Sequence, residues 1–380
     1  MLPYWRISAF YACYFGALGV IVPYWGLYLR SLGFDAVAIG ELMAIVMGTK
    51  IIAPNIWAWI ADHTDRRMAI VRFGSLAALL SFIAIFWVRD YWPIALVMLL
   101  FSFFWNATLP QFEVTTLSYL EGDEHRYAQL RVWGSIGFIV TVALLGPLIG
   151  WHPLGAALVP LLLLILFIGI WLASLTVAER PTPHDAPIAT HSLWQVLRQP
   201  PVVALMIASF LIQGSHGPYY TFYTLYLQDH GYSETLIGQL WALGVVSEVV
   251  IFLLMSRLLL RFRRGQLLLA AMLLTALRWL LIGYGAESLL LLLLAQLLHA
   301  ASFGLFHAVA IALYHRFFNG RLRGRGQALY SSLSFGAGGA VGAWGSGVGW
   351  ESIGATGVYS VAAAAALLGG VMTWYGLRHA

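Results

Sequence analysis

Long apolar stretches separated by short polar turns recur along the whole chain. Each stretch has roughly 20 residues, the length that an α-helix needs to cross the hydrocarbon core of a bilayer. The pattern predicts twelve membrane-spanning helices, numbered here span 1 to span 12. The predicted ranges are 7–29, 37–60, 68–88, 93–119, 127–149 and 154–176, then 202–227, 234–257, 266–285, 288–316, 325–349 and 353–377.

A polar segment separates the sixth span from the seventh. Residues 179–201 contain five prolines together with His, Asp and Thr, so this segment cannot span a membrane. We therefore expect an N-terminal six-helix bundle in residues 1–178, a cytoplasmic linker in 179–201 and a C-terminal six-helix bundle in 202–380. The expected fold is an all-α membrane protein.

An internal repeat relates the two halves. The stretch 24–42, YWGLYLRSLGFDAVAIGEL, returns as 222–240, FYTLYLQDHGYSETLIGQL, at an offset of 198 residues with seven of nineteen positions identical. In both copies an apolar helix leads through a short polar turn into a second apolar helix. Internal repeats of this kind are common in membrane transporters. Gly338 and Gly342 in span 11 are four residues apart, a spacing that favours close helix packing.

Composition agrees with a chain embedded in lipid. Hydrophobic residues make up 61% of the sequence and charged residues 10%, whereas a soluble protein has about 25% charged residues. Cys13 is the single cysteine, so no disulfide can form within the chain. We find no zinc-ligand spacing, phosphate-binding loop or nucleophile elbow, and we expect no metal, no cofactor and no enzymatic activity.

The distribution of basic residues predicts the topology. Sixteen of the 21 Lys and Arg residues lie in one set of loops, and only Arg30 and Arg89 lie in the opposite set. Cytoplasmic loops carry the excess of basic residues, so we expect both termini and the linker in the cytoplasm of a cell with a plasma, or inner, membrane. This asymmetry accounts for the net charge of +5 without a nucleic-acid partner.

The turn between spans 2 and 3 carries acids and bases at a helix end, with Asp62, Arg66 and Arg67 in the run from Ala58. It resembles the cytoplasmic signature loop of the major facilitator superfamily, in which a Gly and an Asp precede a basic cluster. Ala58 stands where that pattern has Gly. Together with twelve spans and the repeat, the resemblance implies the major facilitator fold, in which two matched bundles rock around a central cavity in alternating access.

Three ionisable residues are predicted near mid-membrane in the second half: Glu248 in span 8, Arg278 in span 9 and His299 in span 10. Ionisable residues at this depth cost a few kcal/mol and are functional candidates. A buried carboxyl group that is balanced between burial and a nearby cation can take up and release a proton. We expect these residues to couple protonation to transport. The alternative is a static salt bridge that holds helices together, with His299 as a packing residue.

Glu113 and Arg131 form a corresponding set in the first half, although counting residues places them toward the cytoplasmic third. The stretch from Gln129 to Phe138 resembles the lactose-permease family, in which the matching acid and Arg hold the sugar. Phe138 stands at the position of an aromatic residue that stacks on it. The same alignment places Glu248, Arg278 and His299 on that family's ligand and proton-coupling residues. Ser302 replaces the family's proton-carrying Glu, so Glu248 or a histidine must carry the proton here.

Lys50 adds a second cation to the first half, about 18 Å into the membrane from Asp62. Two cations against Glu113 suit a carboxylate substrate, which an Arg can grip with two parallel hydrogen bonds. The alternatives are that Lys50 extends to the membrane surface or pairs with Glu113.

Span 7 contains Gln213 and His216 followed by a Gly-Pro pair, which interrupts a helix. Broken membrane helices line cavities, so both side chains are candidate contacts for ligand or proton; the alternative is a packing kink. The run from Gln213 to Phe252 resembles the phenylpropionate-permease branch of the superfamily. The resemblance implies proton symport of small aromatic acids.

Two further candidates complete the predicted site. His307 lies eight residues after His299, about 80° around a helix, so both could face one cavity. Tyr28 could line it from span 1, although aromatic residues in spans more often pack.

We therefore predict a monomeric secondary transporter whose partners are a small substrate, protons and membrane lipid. It would import a small aromatic carboxylate such as 3-phenylpropionate with protons. Glu113, Arg131 and Lys50 would hold the substrate, with Phe138, Gln213 and Tyr28; Glu248, Arg278, His299, His216 and His307 would couple the proton. The alternatives are a neutral sugar or nucleoside as substrate, in either direction, and a membrane-embedded enzyme or non-transporting sensor.

Overall fold

The computed structural model describes residues 2–120, 123–180 and 192–377, and within these ranges every regular element is helical. The first half contains α1 (Tyr4–Ser31), α2 (Ala36–Thr64), α3 (Arg67–Ile83), α4 (Tyr91–Leu120), α5 (Glu124–Trp151) and α6 (Leu158–Thr176). A short 3-10 turn, Ala84–Phe86, extends α3, and a second, Gly155–Ala157, precedes α6.

The second half begins with the short helix α7 (Leu193–Leu197) and continues with the helices of spans 7 to 12. These are α8 (Pro200–Ser215), α9 (Gly217–Asp229), α10 (Glu234–Arg261), α11 (Arg264–Gly285), α12 (Leu289–Leu297), α13 (Phe306–Phe317), α14 (Arg323–Ser331), α15 (Gly339–Ser352) and α16 (Gly354–Leu377). A π-helical segment, Ala300–Leu305, joins α12 to α13, and a second, Ser332–Gly338, joins α14 to α15.

Among the described residues, ten helices are long and apolar enough to cross a membrane. The other two predicted spans are 7 and 11: span 7 is divided into α8 and α9, and span 11 into α14, a π segment and α15. Span 10 counts among the ten, from Leu289 to Phe317, although a π segment joins its two α-helices. The break in span 7 was predicted from its Gly-Pro pair. The π segments were not, because no glycine or proline pattern specifies an i→i+5 turn.

Part of the predicted linker is helical. Ser192 caps α7, and its side chain and that of Gln195 form a reciprocal capping box. Residues 181–191, which include three of its five prolines, lie outside the described ranges.

The described residues divide into two compact units: one comprises those of 1–184 and 232–242, the other those of 185–231 and 243–380. In the first unit α1 packs against α5 and α6, and α3 packs against α4 and α6. In the second unit α8 packs against α16 and the Ser332–Gly338 segment, and α11 packs against α12 and α16. The same pairings of spans therefore recur in both units, which is the architecture that the sequence repeat predicts.

The repeat extends to the turn between its two helices. Gly33 and Gly231 have φ values of 91° and 80°, in the left-handed region that favours glycine. Two residues later, Asp35 accepts from the N–H of Ala38 at 2.8 Å and Ser233 accepts from the N–H of Leu236 at 3.4 Å. Each side chain caps the helix that follows.

Glycines allow close backbone approach at corresponding positions of the two units. A Cβ at Gly19 in α1 would lie 3.1 Å from the backbone oxygen of Phe138 in α5. At Gly217, which is 198 residues further on, a Cβ would overlap the backbone of Gly342 in α15. Gly342 also meets Gly214, so the expected role of Gly342 in helix packing is confirmed.

Candidate functional site

Glu248 and His299 form the central pair of the second unit. Glu248 on α10 places Oε2 3.7 Å from Nε2 of His299, which follows the end of α12; their side chains are 15% and 7% exposed. Two glycines bring the elements together, because a Cβ at Gly244 would lie 3.4 Å from the His299 ring and one at Gly304 3.2 Å from the Glu248 side chain. The pair can hold one proton in either of two places.

Arg278 on α11 is completely buried, and its hydrogen-bond acceptors are neutral. Its Nε donates to the carbonyl of Ala295 at 2.9 Å, Nη1 to Oγ of Ser302 at 3.0 Å and Nη2 to Oε1 of Gln296 at 3.5 Å. The guanidinium lies 4.1 Å from the ring centre of Tyr219. Within the described part of the chain no carboxylate oxygen lies within 4.0 Å of it.

Gln296 is a polar centre that the sequence reasoning missed. Its Oε1 accepts from the hydroxyl of Tyr219 at 2.8 Å, and its Nε2 donates to the hydroxyl of Tyr223 at 2.6 Å. These bonds fix the orientation of the amide and present its oxygen to Arg278. A signal was available, since Gln296 is the one polar residue in the helix LLLLLLAQL.

The three candidate histidines lie in different surroundings. His216 is 1% exposed and bonds the carbonyl of Ile212 through Nδ1 at 2.8 Å. Among the described residues, neither Nε2 of His216 nor Nδ1 of His299 has a hydrogen-bond partner. His307 bonds the hydroxyl of Tyr330 through Nδ1 at 3.0 Å. Phe303 stacks between the rings of His299 and His307, with centroids 5.7 Å from each, so the three rings form one stack.

Glu113 and Arg131 form an ion pair in the first unit, with Nε 3.7 Å from Oε1 and side chains that are 25% and 33% exposed. Tyr127 donates to the same Glu113 oxygen at 3.4 Å. The pair lies seven residues from the end of α4 and seven from the start of α5, about 10 Å from each helix end. This geometry matches the position near one end of the bundle that residue counting predicts.

Arg131 also contacts an aromatic ring that the sequence reasoning did not single out. Its guanidinium lies 3.8 Å from the ring centre of Phe15 on α1, and Gly134 leaves room for this contact. Phe138, which is predicted to stack on the substrate, is half-buried where α5 meets Gly19. Phe15 was missed because only the packing of α1 on α5 brings it to Arg131.

The remaining candidates do not converge on this pair. Lys50 is half-buried, and its Nζ lies 3.6 Å from the sulfur of Met47. Among the described residues, Lys50 forms no ion pair with Glu113. Tyr28, near the end of α1, accepts a hydrogen bond from Arg89. Tyr11, which adjoins Arg131, lies on the same helix. Tyr28 is 17 residues from Tyr11, or about 25 Å along the helix axis. Gln213 lies where α8 meets Gly338 in the second unit.

The predicted signature loop is a tight turn. α2 ends at Thr64, Asp65 takes a left-handed conformation with φ 53°, and Arg66 precedes the first residue of α3. Arg67 donates through Nη2 to Asp62 and through Nη1 to Gln111 of α4, both at 2.6 Å. The loop therefore ties the end of α2 to α3 and α4.

Residues 4–361 match the family described as "MFS_1 like family". The chain belongs to this family. Among curated relatives, this MFS_1-like chain is 30% identical over 340 residues to the "Probable 3-phenylpropionic acid transporter" of Escherichia coli (strain K12), with 86% of each chain covered. It is 26% identical over 344 residues to the "Maltose permease" of Geobacillus stearothermophilus, covering 88% of this chain and 84% of the relative.

Solved structures confirm the fold of the MFS_1-like chain. A mutant of the nucleoside transporter NupG superimposes with a TM-score of 0.85 at 16% identity, covering 98% of this chain and 99% of that one. The POT family transporter PepTSo gives 0.76 at 13% identity, covering 98% and 97%. The chain is thus a multi-pass membrane transporter of the major facilitator kind and not an enzyme.

Proposed function

We propose that the protein is a proton-coupled symporter that imports a small aromatic carboxylate such as 3-phenylpropionate across the inner, or plasma, membrane, with both termini in the cytoplasm. The similarity to a relative named as a probable 3-phenylpropionic acid transporter supports the substrate class. The interior charges of this chain support it independently.

The main support for a carboxylate substrate is that the interior of the bundles contains more cations than carboxylates. Arg131 has Glu113 as its partner, whereas neither Lys50 nor Arg278 has a carboxylate within 4.0 Å among the described residues. A cation kept in a bundle without a counter-charge is costly, and an anion that enters with the substrate removes that cost. An uncharged substrate would leave the imbalance in place.

Glu248 and His299 supply the means of proton coupling. They are within ion-pair distance in the interior of the second unit, and either group can hold the proton that the pair shares. Ser302, which replaces the acid of the lactose-permease pattern, serves instead as an acceptor for Arg278. Glu248 is therefore the proposed proton carrier, with His299 as its partner.

Uptake by purified protein in liposomes tests the proposal. Radiolabelled 3-phenylpropionate should accumulate when the outside is more acidic than the inside, and a protonophore should abolish the accumulation. Protein-free liposomes are the control, because the neutral acid crosses lipid by itself. Uptake equal to that control, with or without a pH gradient, would contradict the proposal.

A neutral sugar or nucleoside is the second candidate, and the Glu113–Arg131 pair favours it. That pair is internally neutral and offers both donors and acceptors, which suits hydroxyl groups. The match to a maltose permease is consistent with it. Maltose and uridine, each tested in the same liposomes, decide between the candidates. Gradient-driven uptake of either, with 3-phenylpropionate uptake no greater than in protein-free liposomes, favours the second.

A further inference from the structure

Among the described residues the guanidinium of Arg278 has no carboxylate within 4.0 Å, although it is fully buried. The acceptors of Nε, Nη1 and Nη2 are neutral: a backbone carbonyl, a hydroxyl and an amide oxygen. The side chain of Tyr219, which is also neutral, forms a further hydrogen bond with the guanidinium. Planar Arg is suited to binding a carboxylate with two parallel hydrogen bonds, so an anionic ligand would supply the charge that these neutral partners lack.

Two unpartnered imidazole nitrogens adjoin the same cluster. The ring of His216 lies edge-on to Trp279 with centroids 4.8 Å apart, and the ring of His299 lies 5.8 Å from that of Tyr219. Trp279 and Tyr219 are the rings that flank the Arg278 guanidinium, at 4.7 and 4.1 Å. Nε2 of His216 and Nδ1 of His299 are buried without partners, and buried polar atoms of this kind call for a ligand or water.

The walls of the cluster are aromatic. Tyr219 packs on Tyr223 and Tyr220 with centroids 4.9 and 5.5 Å apart, and Phe303 stacks on His299. An aryl ring gains offset or edge-to-face contacts from such surroundings. Carboxylate recognition and ring recognition are therefore available in one place in the second unit.

The cations of the first unit are less suited to this task. Arg131 is already neutralised by Glu113. Lys50 is a half-buried point charge beside a methionine sulfur, and an ammonium group does not bind a carboxylate in the two-pronged way of a guanidinium.

We propose that Arg278 binds the substrate's carboxylate, with Tyr219 and Trp279 contacting its aryl ring. The proposal rests on the proposed function and assigns its anion site to the second unit instead of to Lys50 and Arg131. Because Arg278 has no exposed surface, neighbouring side chains must move before a ligand can reach its N–H groups. Gln296 acts as a positioning residue, since its bonds to Tyr219 and Tyr223 keep its oxygen toward Arg278.

Binding of two matched ligands to the purified full chain tests the assignment. The probes are 3-phenylpropionate and 3-phenylpropanol, which share the ring and differ in the carboxylate. In Arg278→Gln the preference for the acid should fall at least tenfold. Arg316→Gln, on an exposed residue near the end of α13, should retain it. Loss of the preference in Lys50→Gln but not in Arg278→Gln would overturn the assignment and place the anion site in the first unit.

A second variant covers the case in which Arg278→Gln does not fold. Gln296→Glu places a carboxylate beside Arg278 and keeps an acceptor for the hydroxyl of Tyr219. It also replaces the amide donor to the hydroxyl of Tyr223 by an acceptor. This internal anion should reduce 3-phenylpropionate binding at least tenfold and raise the thermal midpoint. Unchanged acid binding in folded Gln296→Glu overturns the proposal. Absence of acid binding in the unaltered protein instead contradicts the proposed function, so the two failures are distinguishable.

Discussion

Glu248 on α10 and His299 at the end of α12 are 3.7 Å apart, and both side chains are largely withdrawn from solvent. A proton shared by an acid and an imidazole neutralises the acid or charges the ring, and either change alters the attraction between the two helices. Arg278, which is also buried in this unit, donates hydrogen bonds to the carbonyl of Ala295, to Ser302 and to Gln296.

Glu248→Gln should separate coupling from transport. Glutamine keeps the shape of the side chain but cannot take up a proton, so gradient-driven uptake of 3-phenylpropionate should fall at least tenfold. Exchange of labelled for unlabelled substrate, which needs no net proton movement, should continue. Both rates are measured in the same liposomes.

The matched control is Glu287→Gln, since Glu287 is an exposed acid between α11 and α12. It should leave both rates unchanged. Normal gradient-driven uptake in Glu248→Gln would exclude Glu248 as the proton carrier.

Gly217 should be intolerant of substitution. A Cβ there would overlap the backbone of Gly342, and neither helix can yield by moving a flexible side chain. Gly217→Ala should therefore destabilise the protein by about 3 kcal/mol, the upper part of the range for overpacking. The measurement is thermal unfolding of the detergent-purified protein.

Gly345→Ala on α15 serves as the comparison, because a Cβ there meets nothing within 4 Å. Alanine favours helix over glycine by about 1 kcal/mol, so this variant should be as stable as the unaltered chain or more so. Equal destabilisation by both substitutions would show that helix packing at Gly217 is looser than the structure indicates.

Arg67 should matter more for stability than its partner Asp62. The Asp62 side chain is 63% exposed and that of Arg67 is 13% exposed. Exposed ion pairs contribute about 0–1 kcal/mol, so Asp62→Asn should shift the unfolding free energy by no more than that. Arg67→Ala also leaves buried Gln111 without its donor, which should cost about 1–3 kcal/mol. Denaturant titration of both variants measures the difference; equal losses would contradict it.

Much of the fold could be predicted because its cause is local. A run of about 20 apolar residues must be helical in lipid, since no water is present to satisfy its backbone. The repeat of 24–42 at 222–240 predicts the same arrangement of helices in the two halves. The turns at Gly33 and Gly231 agree with this prediction, since both glycines have a positive φ.

The contacts of the site could not be predicted in the same way. The rotation of each helix about its axis determines which face of α10 meets His299 and which aromatic ring lies against Arg131. Most of these spans carry apolar residues on every face of the helix, so the hydrophobic pattern does not determine that rotation. The Ala300–Leu305 π segment shifts the register further, because its hydrogen bonds skip one residue more than those of an α-helix.

Gly33→Ala and Gly231→Ala should have equal and additive effects. A Cβ at either position meets nothing within 4 Å, so the expected loss comes only from the positive φ of 91° or 80°. A left-handed conformation costs a residue with a side chain about 1–2 kcal/mol. The double variant should lose the sum to within about 0.5 kcal/mol, because the added Cβ at either position meets no neighbouring atom. Gly324→Ala, which also meets nothing within 4 Å but has no positive φ, should show no such loss. If the two single variants differed markedly in thermal unfolding, the two turns would not be equivalent. The structural repeat would then end before residue 33 in the first half and before residue 231 in the second.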